Sequence, residues 1–355
     1  MTIINKSNLH QLSTKAQNSL LKNMLRLPTA AKQQIAGEPI VIDGQTFDLS
    51  LQVMLQLFGP PPNHLPSVTE ARATIEAQSP VLSQTPLDDI IKDEFPLTMS
   101  DGETIRLRRY RHRNAPRDNQ PALVFYHGGG YVGGSLNSHD LVCQHLANGG
   151  ECTVIAVDYR LAPEYPYPTP VNDGLTAYRY IASHADKFGI DANRLAVGGD
   201  SAGGNLAAVV AQQTKNDMHP PKLQLLWVPW VDMSGEHESY EPYELFATGF
   251  LLEQAQMRWY THHYLGDTDK VDTTDPMVSP IYGDLQGVAP AVVMVAGFDP
   301  LRDEGIEYAN KLTAAVVDTT LKVYDSMPHL FMLYAGEIDA AKVAFEDAVQ
   351  ALKRL

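Results

Sequence analysis

A chain of 355 residues, 44% hydrophobic and 19% charged, can bury one large core, or a core with a smaller appendage. Its 27 lysines and arginines against 42 aspartates and glutamates leave a formal charge of −15, a surface that repels phosphate backbones and anionic membranes and argues against nucleic acid as a partner. With only Cys143 and Cys152, a disulfide scaffold and a cysteine-rich metal site are excluded, and two free thiols in a reducing compartment are expected.

The opening Met1-Thr2-Ile3-Ile4-Asn5-Lys6 carries no basic segment followed by an apolar stretch and cleavage site, and no run of about 18 apolar residues occurs. The expectation is a soluble, cytoplasmic protein without stable membrane insertion. Within residues 1–40, Leu9, Leu12, Ala16, Leu20 and Met24 recur at roughly helical spacing and predict one helix, an N-terminal extension. Residues 41–93 read as the first part of a cap, with helices over 49–58 and 68–77, the former stopped by Gly59-Pro60-Pro61-Pro62.

From about residue 94 the texture changes. Two apolar-patterned runs flank Ser100-Asp101-Gly102 and predict a β-hairpin that opens the main domain, whose first part covers 94–232. Apolar runs at 122–126, 153–158, 194–198, 223–228, 291–296 and 321–324 read as strands. Helical segments near 137–148, 171–184, 202–213, 303–316 and 338–353 alternate with them. That alternation implies an α/β fold with a mostly parallel sheet, its strands buried on both faces. Residues 233–275 interrupt the rhythm with Tyr240, Tyr243, Phe246, Phe250, Met257, Trp259 and Tyr260. They read as a cap insertion, with a packed helical excursion as the plain alternative. Residues 276–355 complete the domain.

Two motifs carry chemistry. Gly199-Asp200-Ser201-Ala202-Gly203 lies between a predicted strand and a predicted helix. Glycines on both sides allow a bend sharp enough to expose the Ser201 hydroxyl, and the new helix aims its free N–H groups at it. His127-Gly128-Gly129-Gly130 follows the strand at 122–126, where main-chain N–H groups unobstructed by side chains can hold an oxyanion; a flexible loop is the bland alternative.

A serine nucleophile needs a histidine base and a carboxylate behind it, in the chain order Ser, Asp or Glu, His. Asp299, just after the strand at 291–296, and His329, the only histidine beyond it, fit that order. Asp303 is the rival acid, and Asp325 lies too close to the histidine strand to be preferred. No cofactor is called for, and no H-E-x-x-H motif or cysteine pair suggests a metal; His262-His263 reads as cap surface.

These motifs, with Asp158-Tyr159-Arg160-Leu161-Ala162-Pro163-Glu164 and Asp299-Pro300-Leu301-Arg302-Asp303-Glu304-Gly305, resemble the bacterial hormone-sensitive-lipase family, the family IV esterases of the α/β-hydrolases, in its G-D-S-A-G-G branch. The resemblance covers about residues 40–355. It implies a cofactor-free carboxylesterase acting on small-molecule esters of short to medium acyl chains, with Ser201 as nucleophile, Asp299 as orienting acid and His329 as base. Gly128, Gly129 and Ala202 would be the oxyanion donors, and Tyr131, Asp200 and Leu330 would touch substrate. Arg160 and Glu164 would form a structural ion pair. Leu330 departs from the family's usual glycine after the histidine and would narrow the pocket. An amidase, a peptidase or an arylacetamide-deacetylase-like hydrolase is the alternative activity; a non-catalytic receptor would lack a triad residue. A homodimer stays open beside a monomer.

Overall fold

The computed structural model describes residues 14–59, 65–78, 83–235 and 239–355. The first segment contains helices α1 (Thr14–Leu25) and α2 (Thr29–Ala36), a two-stranded ribbon of β1 (Val41–Ile42) and β2 (Gln45–Thr46), and α3 (Leu49–Phe58); the second contains α4 (Val68–Gln78). The main sheet then builds up from β3 (Ile90–Thr98), β4 (Thr104–His112), β5 (Gln120–Tyr126), β6 (Thr153–Asp158) and β7 (Ile190–Asp200). Its helices in this half are α5 (Asp140–Gly149), α6 (Thr169–Ser183) and α7 (Ala202–Gln213). After β8 (Leu223–Trp227) comes the excursion with α8 (Gln254–Leu265), followed by β9 (Ala291–Phe298), α9 (Arg302–Ala314), β10 (Thr319–Pro328) and α10 (Asp339–Leu352).

Eight strands run in the order β10-β9-β8-β7-β5-β6-β4-β3. Only the pairings around β4 are antiparallel; the others are parallel. The reason lies in the pleat. In β5, Leu123 and Phe125 enter one core cluster while Val124 and Tyr126 enter the other, so each strand needs apolar side chains on both faces. One cluster takes Leu175 and Tyr178 of α6, Leu206 and Val209 of α7 and Leu312 of α9; the second takes Leu146 of α5 and Phe345 and Val349 of α10.

Two sequence expectations change. The predicted single helix over 1–40 is broken inside the described residues: α1 ends at Leu25, and Pro28, which has no N–H to donate, sits with φ −57° and ψ 150° at the start of α2. Its first thirteen residues lie outside the described part. Residues 90–93, read as cap, belong to β3 and pair with β4. The excursion over 233–275 packs against the segment before β3 and the end of β9: Phe250 meets Phe47 edge-on at a centroid distance of 5.4 Å, Phe246 and Phe250 each lie 5.4 Å from Phe298, and Phe47 lies 4.9 Å from Phe298. Such pairs contribute about 0.5–1.5 kcal/mol each beyond their burial. They join residues before β3, the excursion and the end of β9.

Candidate active site

Ser201 occupies the turn between β7 and α7 with φ +54° and ψ −119°, a backbone state that serine rarely adopts and that its surroundings must enforce. Its N–H donates to the Trp227 carbonyl of β8 at 2.9 Å, and its carbonyl accepts from Asn205 at 2.9 Å and Trp230 at 3.2 Å. The glycines beside it are required by space: a Cβ on Gly199 or Gly203 would lie 2.2 or 2.0 Å from the Tyr126 carbonyl oxygen of β5. Close backbone approach between β5 and the turn thus explains the motif.

Asp299 and His329 follow directly on β9 and β10, so the strand order carries all three residues to one end of the sheet. His329 Nδ1 lies 2.7 Å from Asp299 Oδ2, and His329 Nε2 lies 3.0 Å from Ser201 Oγ. An ionised carboxylate only accepts, so Nδ1 donates to Asp299 and Nε2 is left to accept the Ser201 hydroxyl hydrogen. All three are nearly covered, at 7% for Ser201, 1% for Asp299 and 3% for His329. The other Asp299 oxygen accepts from the Leu301 N–H at 3.0 Å. The rival acids are engaged elsewhere: Asp303 pairs with Arg302 at 2.8 Å, and Asp325 accepts from Gln45 at 3.4 Å.

The glycine run lies against this group with one correction to the sequence reading. The Gly128 N–H donates to Asp200 Oδ1 at 3.1 Å, so it is spoken for. Among the described residues no protein group accepts from the N–H of Gly129, Gly130 or Ala202. Gly129, with φ +116°, folds the chain so tightly that a Cβ there would lie 2.4 Å from the Gly133 oxygen.

Asp200 and Tyr131, read as substrate contacts, are instead buried supports. Asp200 Oδ1 is also 3.2 Å from His139 Nε2, whose Nδ1 is 2.9 Å from Ser138 Oγ. Tyr131 donates its hydroxyl to Asn205 Oδ1 at 2.7 Å, and its ring stacks on Tyr264 at 4.0 Å. Both side chains are fully buried. Leu330 is half-buried against the second core cluster with φ +60°, a state glycine would adopt without strain. Arg160 and Glu164 do not pair with each other: Arg160 bonds Asp173 and Asp101, while Glu164 bonds Arg72.

Sequence reading missed several supports. Asn205, one turn into α7, also donates to the Trp230 and Val278 carbonyls at 2.6 and 2.9 Å; its four-residue distance from Ser201 was the available signal. Glu304 is buried and accepts from the Val231 and Asp232 N–H groups at 2.7 and 3.1 Å. Burial first, and the Asp232 charge second, push its carboxyl well above the ordinary value. His127 is pushed down to about 4 by burial and then by His139, so it is a neutral ring, stacked on Tyr159 at 4.3 Å.

Residues 123–333 match the family described as alpha/beta hydrolase fold. A carboxylic ester hydrolase of Mycobacterium tuberculosis, LipN, is 39% identical over 318 residues, 86% of this chain and 82% of that protein. An ethyl acetate hydrolase of Pseudomonas putida is 37% identical over 300 residues, covering 82% of this chain and 92% of that one. The crystal structure of EstE1, a thermophilic carboxylesterase cloned from a metagenomic library, superposes with a TM-score of 0.76 at 36% identity, over 81% of this chain and 97% of that one. The matched family, the order of the motifs and the sheet that gathers them agree, and the chain belongs to the bacterial hormone-sensitive-lipase (family IV) carboxylesterases of the α/β-hydrolase fold.

Proposed function

We propose that this ester hydrolase works by covalent catalysis at Ser201 on esters of short to medium acyl chains. The observation that carries the reading is His329, bonded to Asp299 on one side and to Ser201 Oγ on the other. Ser201 Oγ attacks the ester carbonyl carbon as its proton passes to His329 Nε2, and Asp299 holds the imidazolium that forms. The oxyanion is taken by the N–H groups of Gly129, Gly130 and Ala202; the Gly128 N–H stays with Asp200 and braces the loop. Collapse expels the alcohol, which leaves with the proton from His329. Water, deprotonated by the same histidine, then releases the acid and restores Ser201.

The described parts of residues 41–89 and 233–275 are read as the cap over this site, and the near-complete burial of Ser201, Asp299 and His329 supports an enclosed pocket. A closed apolar pocket gains about 0.8 kcal/mol per buried methylene until the chain meets a wall. Leu330, beside His329, is the proposed wall. The buried free thiols Cys143 and Cys152 suit a cytoplasmic setting. The amidase alternative has no support in the relatives, which are ester hydrolases by name.

The test has two parts. An organophosphate should leave its adduct on Ser201 by peptide mass spectrometry; an adduct elsewhere overturns the assignment. On p-nitrophenyl esters from acetate to palmitate, activity should peak near butyrate to hexanoate, and Leu330→Gly should shift the peak to longer chains. An unchanged profile in that variant removes Leu330 from the pocket.

A further inference from the structure

Helix α4 presents one face to the glycine loop. Arg72, Ile75 and Glu76 stand at positions i, i+3 and i+4, the spacing that aligns side chains along one side of a helix. Arg72 Nε donates to the Val132 carbonyl at 2.8 Å. The Ile75 methyl fills the space over Gly133, where an added Cβ would lie 2.7 Å from it. Glu76 accepts from the Ser135 hydroxyl. Three successive parts of the loop after Gly130 are thus held by a helix that contributes nothing to the sheet.

Arg72 does more than touch the loop. Its Nη2 donates to the Ala162 carbonyl at 2.9 Å, and its two terminal nitrogens grip Glu164 at 2.9 and 2.6 Å. The Ala162 N–H in turn donates to the Tyr131 carbonyl at 2.9 Å. One guanidinium therefore closes a ring of bonds running from Val132 through Tyr131 and Ala162 back to itself. The N–H groups of Val132 and Gly133 both donate to the Gly129 carbonyl, at 3.1 and 2.9 Å, so the orientation of the Gly129–Gly130 peptide depends on where Val132 and Gly133 are held. Only a planar fork with several fixed donors serves two carbonyls and a carboxylate together; an ammonium does not.

We infer that Arg72 is a positioning residue, through which the cap sets the geometry of the oxyanion loop and hence the turnover of the ester. It acts through Val132 and Ala162 and touches neither substrate nor triad. The kinetic consequence rests on the function proposed above; the hold on the loop does not.

Two readouts separate those cases. Hydrogen exchange across residues 127–135 reads the loop directly: in Arg72→Met it should quicken by about tenfold or more as local opening becomes easier, while α7 and α9 exchange as in the wild type. On p-nitrophenyl butyrate the same variant should lose kcat by about 10²-fold, the cost of a small misplacement of catalytic groups, with KM nearly unchanged. Arg72→Lys, which keeps the charge and part of the stem, should fall between, and it decides the question if Arg72→Met does not fold. Glu164→Gln, which leaves both carbonyl bonds in place, should stay close to wild type. Wild-type exchange over 127–135 in a folded Arg72 variant overturns the inference, as does a loss confined to KM. Failure of the wild-type chain to label at Ser201 would count against the proposed function alone, since the exchange result stands without it.

Discussion

The elbow around Ser201 and the segment before β3 are built differently. In α7 every residue from Ala202 to Gln212 is buried, and β8 and β9 are buried along their whole length. In α2 only Ala36 is buried, among the described residues of α4 only Ala71 is, and α3 carries a buried run, Ser50 to Met54. The elbow is held by continuous packing, so its geometry has no alternative state of similar energy. Outside α3, this segment is held by separate anchors: the phenylalanine group around Phe47, the Arg72 fork, and surface pairs such as Arg26 with Glu337. Substitutions at the elbow should therefore break chemistry, and most substitutions in this segment outside α3 should change it little unless they strike an anchor.

The largest effect belongs to Ser201→Ala, which should lower kcat by about 10⁶-fold while the Tm stays near that of the wild type, because triad members act as a unit. Stopped assays on a chromogenic ester measure it; retention of most of the activity would dissolve the contrast between the two regions. Next comes Gly128→Ala. Its Cβ would sit 2.1 Å from Asp200 Oδ2, pushing apart the loop and the carboxylate that braces it. A loss of about 10²–10³-fold in kcat is expected, comparable to losing an oxyanion donor. A variant within a few-fold of wild type would show that Asp200 does not brace the loop.

A smaller effect concerns pH and stability. Burial and then the Asp232 charge raise the carboxyl of Glu304 well above its ordinary value of 4.5 in the folded state. The folded state thus binds the proton more tightly. Stability from this group is fully present below 4.5 and declines as pH rises from there toward the folded value. Glu304→Gln retains an oxygen for the Val231 and Asp232 N–H groups and has no proton to lose. Thermal melts from pH 5 to 9 should show the variant gaining on wild type as pH increases; parallel curves would contradict this. The smallest effect is Arg26→Ala. The Arg26 side chain is 65% exposed while that of Glu337 is 9% exposed, so water screens this bidentate pair from one side only and its contribution is small. Turnover should match wild type and the Tm should fall by no more than a few degrees; a larger loss in either would make this pair a true anchor of that segment.

The chain by itself determined the parts of the molecule that obey a short-range rule. Apolar runs punctuated by glycine marked the buried strands, because a strand covered on both faces has no use for polar residues. Gly199 and Gly203 flagged the bend before Ser201 because only glycine fits beneath the Tyr126 carbonyl, and the order of motifs nominated Asp299 and His329 without any coordinates. Tertiary structure decided what depended on partners far away in sequence. Whether the Gly128 N–H is free was settled by Asp200, 72 residues on. Tyr131 was turned from a presumed substrate contact into a buttress by Asn205 and Tyr264. Arg160 and Glu164, four residues apart, found separate partners in Asp173 and Arg72. A buried hydrogen-bonding group must be satisfied by whatever the fold brings within about 3 Å, and that choice is made by the packing of the whole chain rather than by neighbours in sequence.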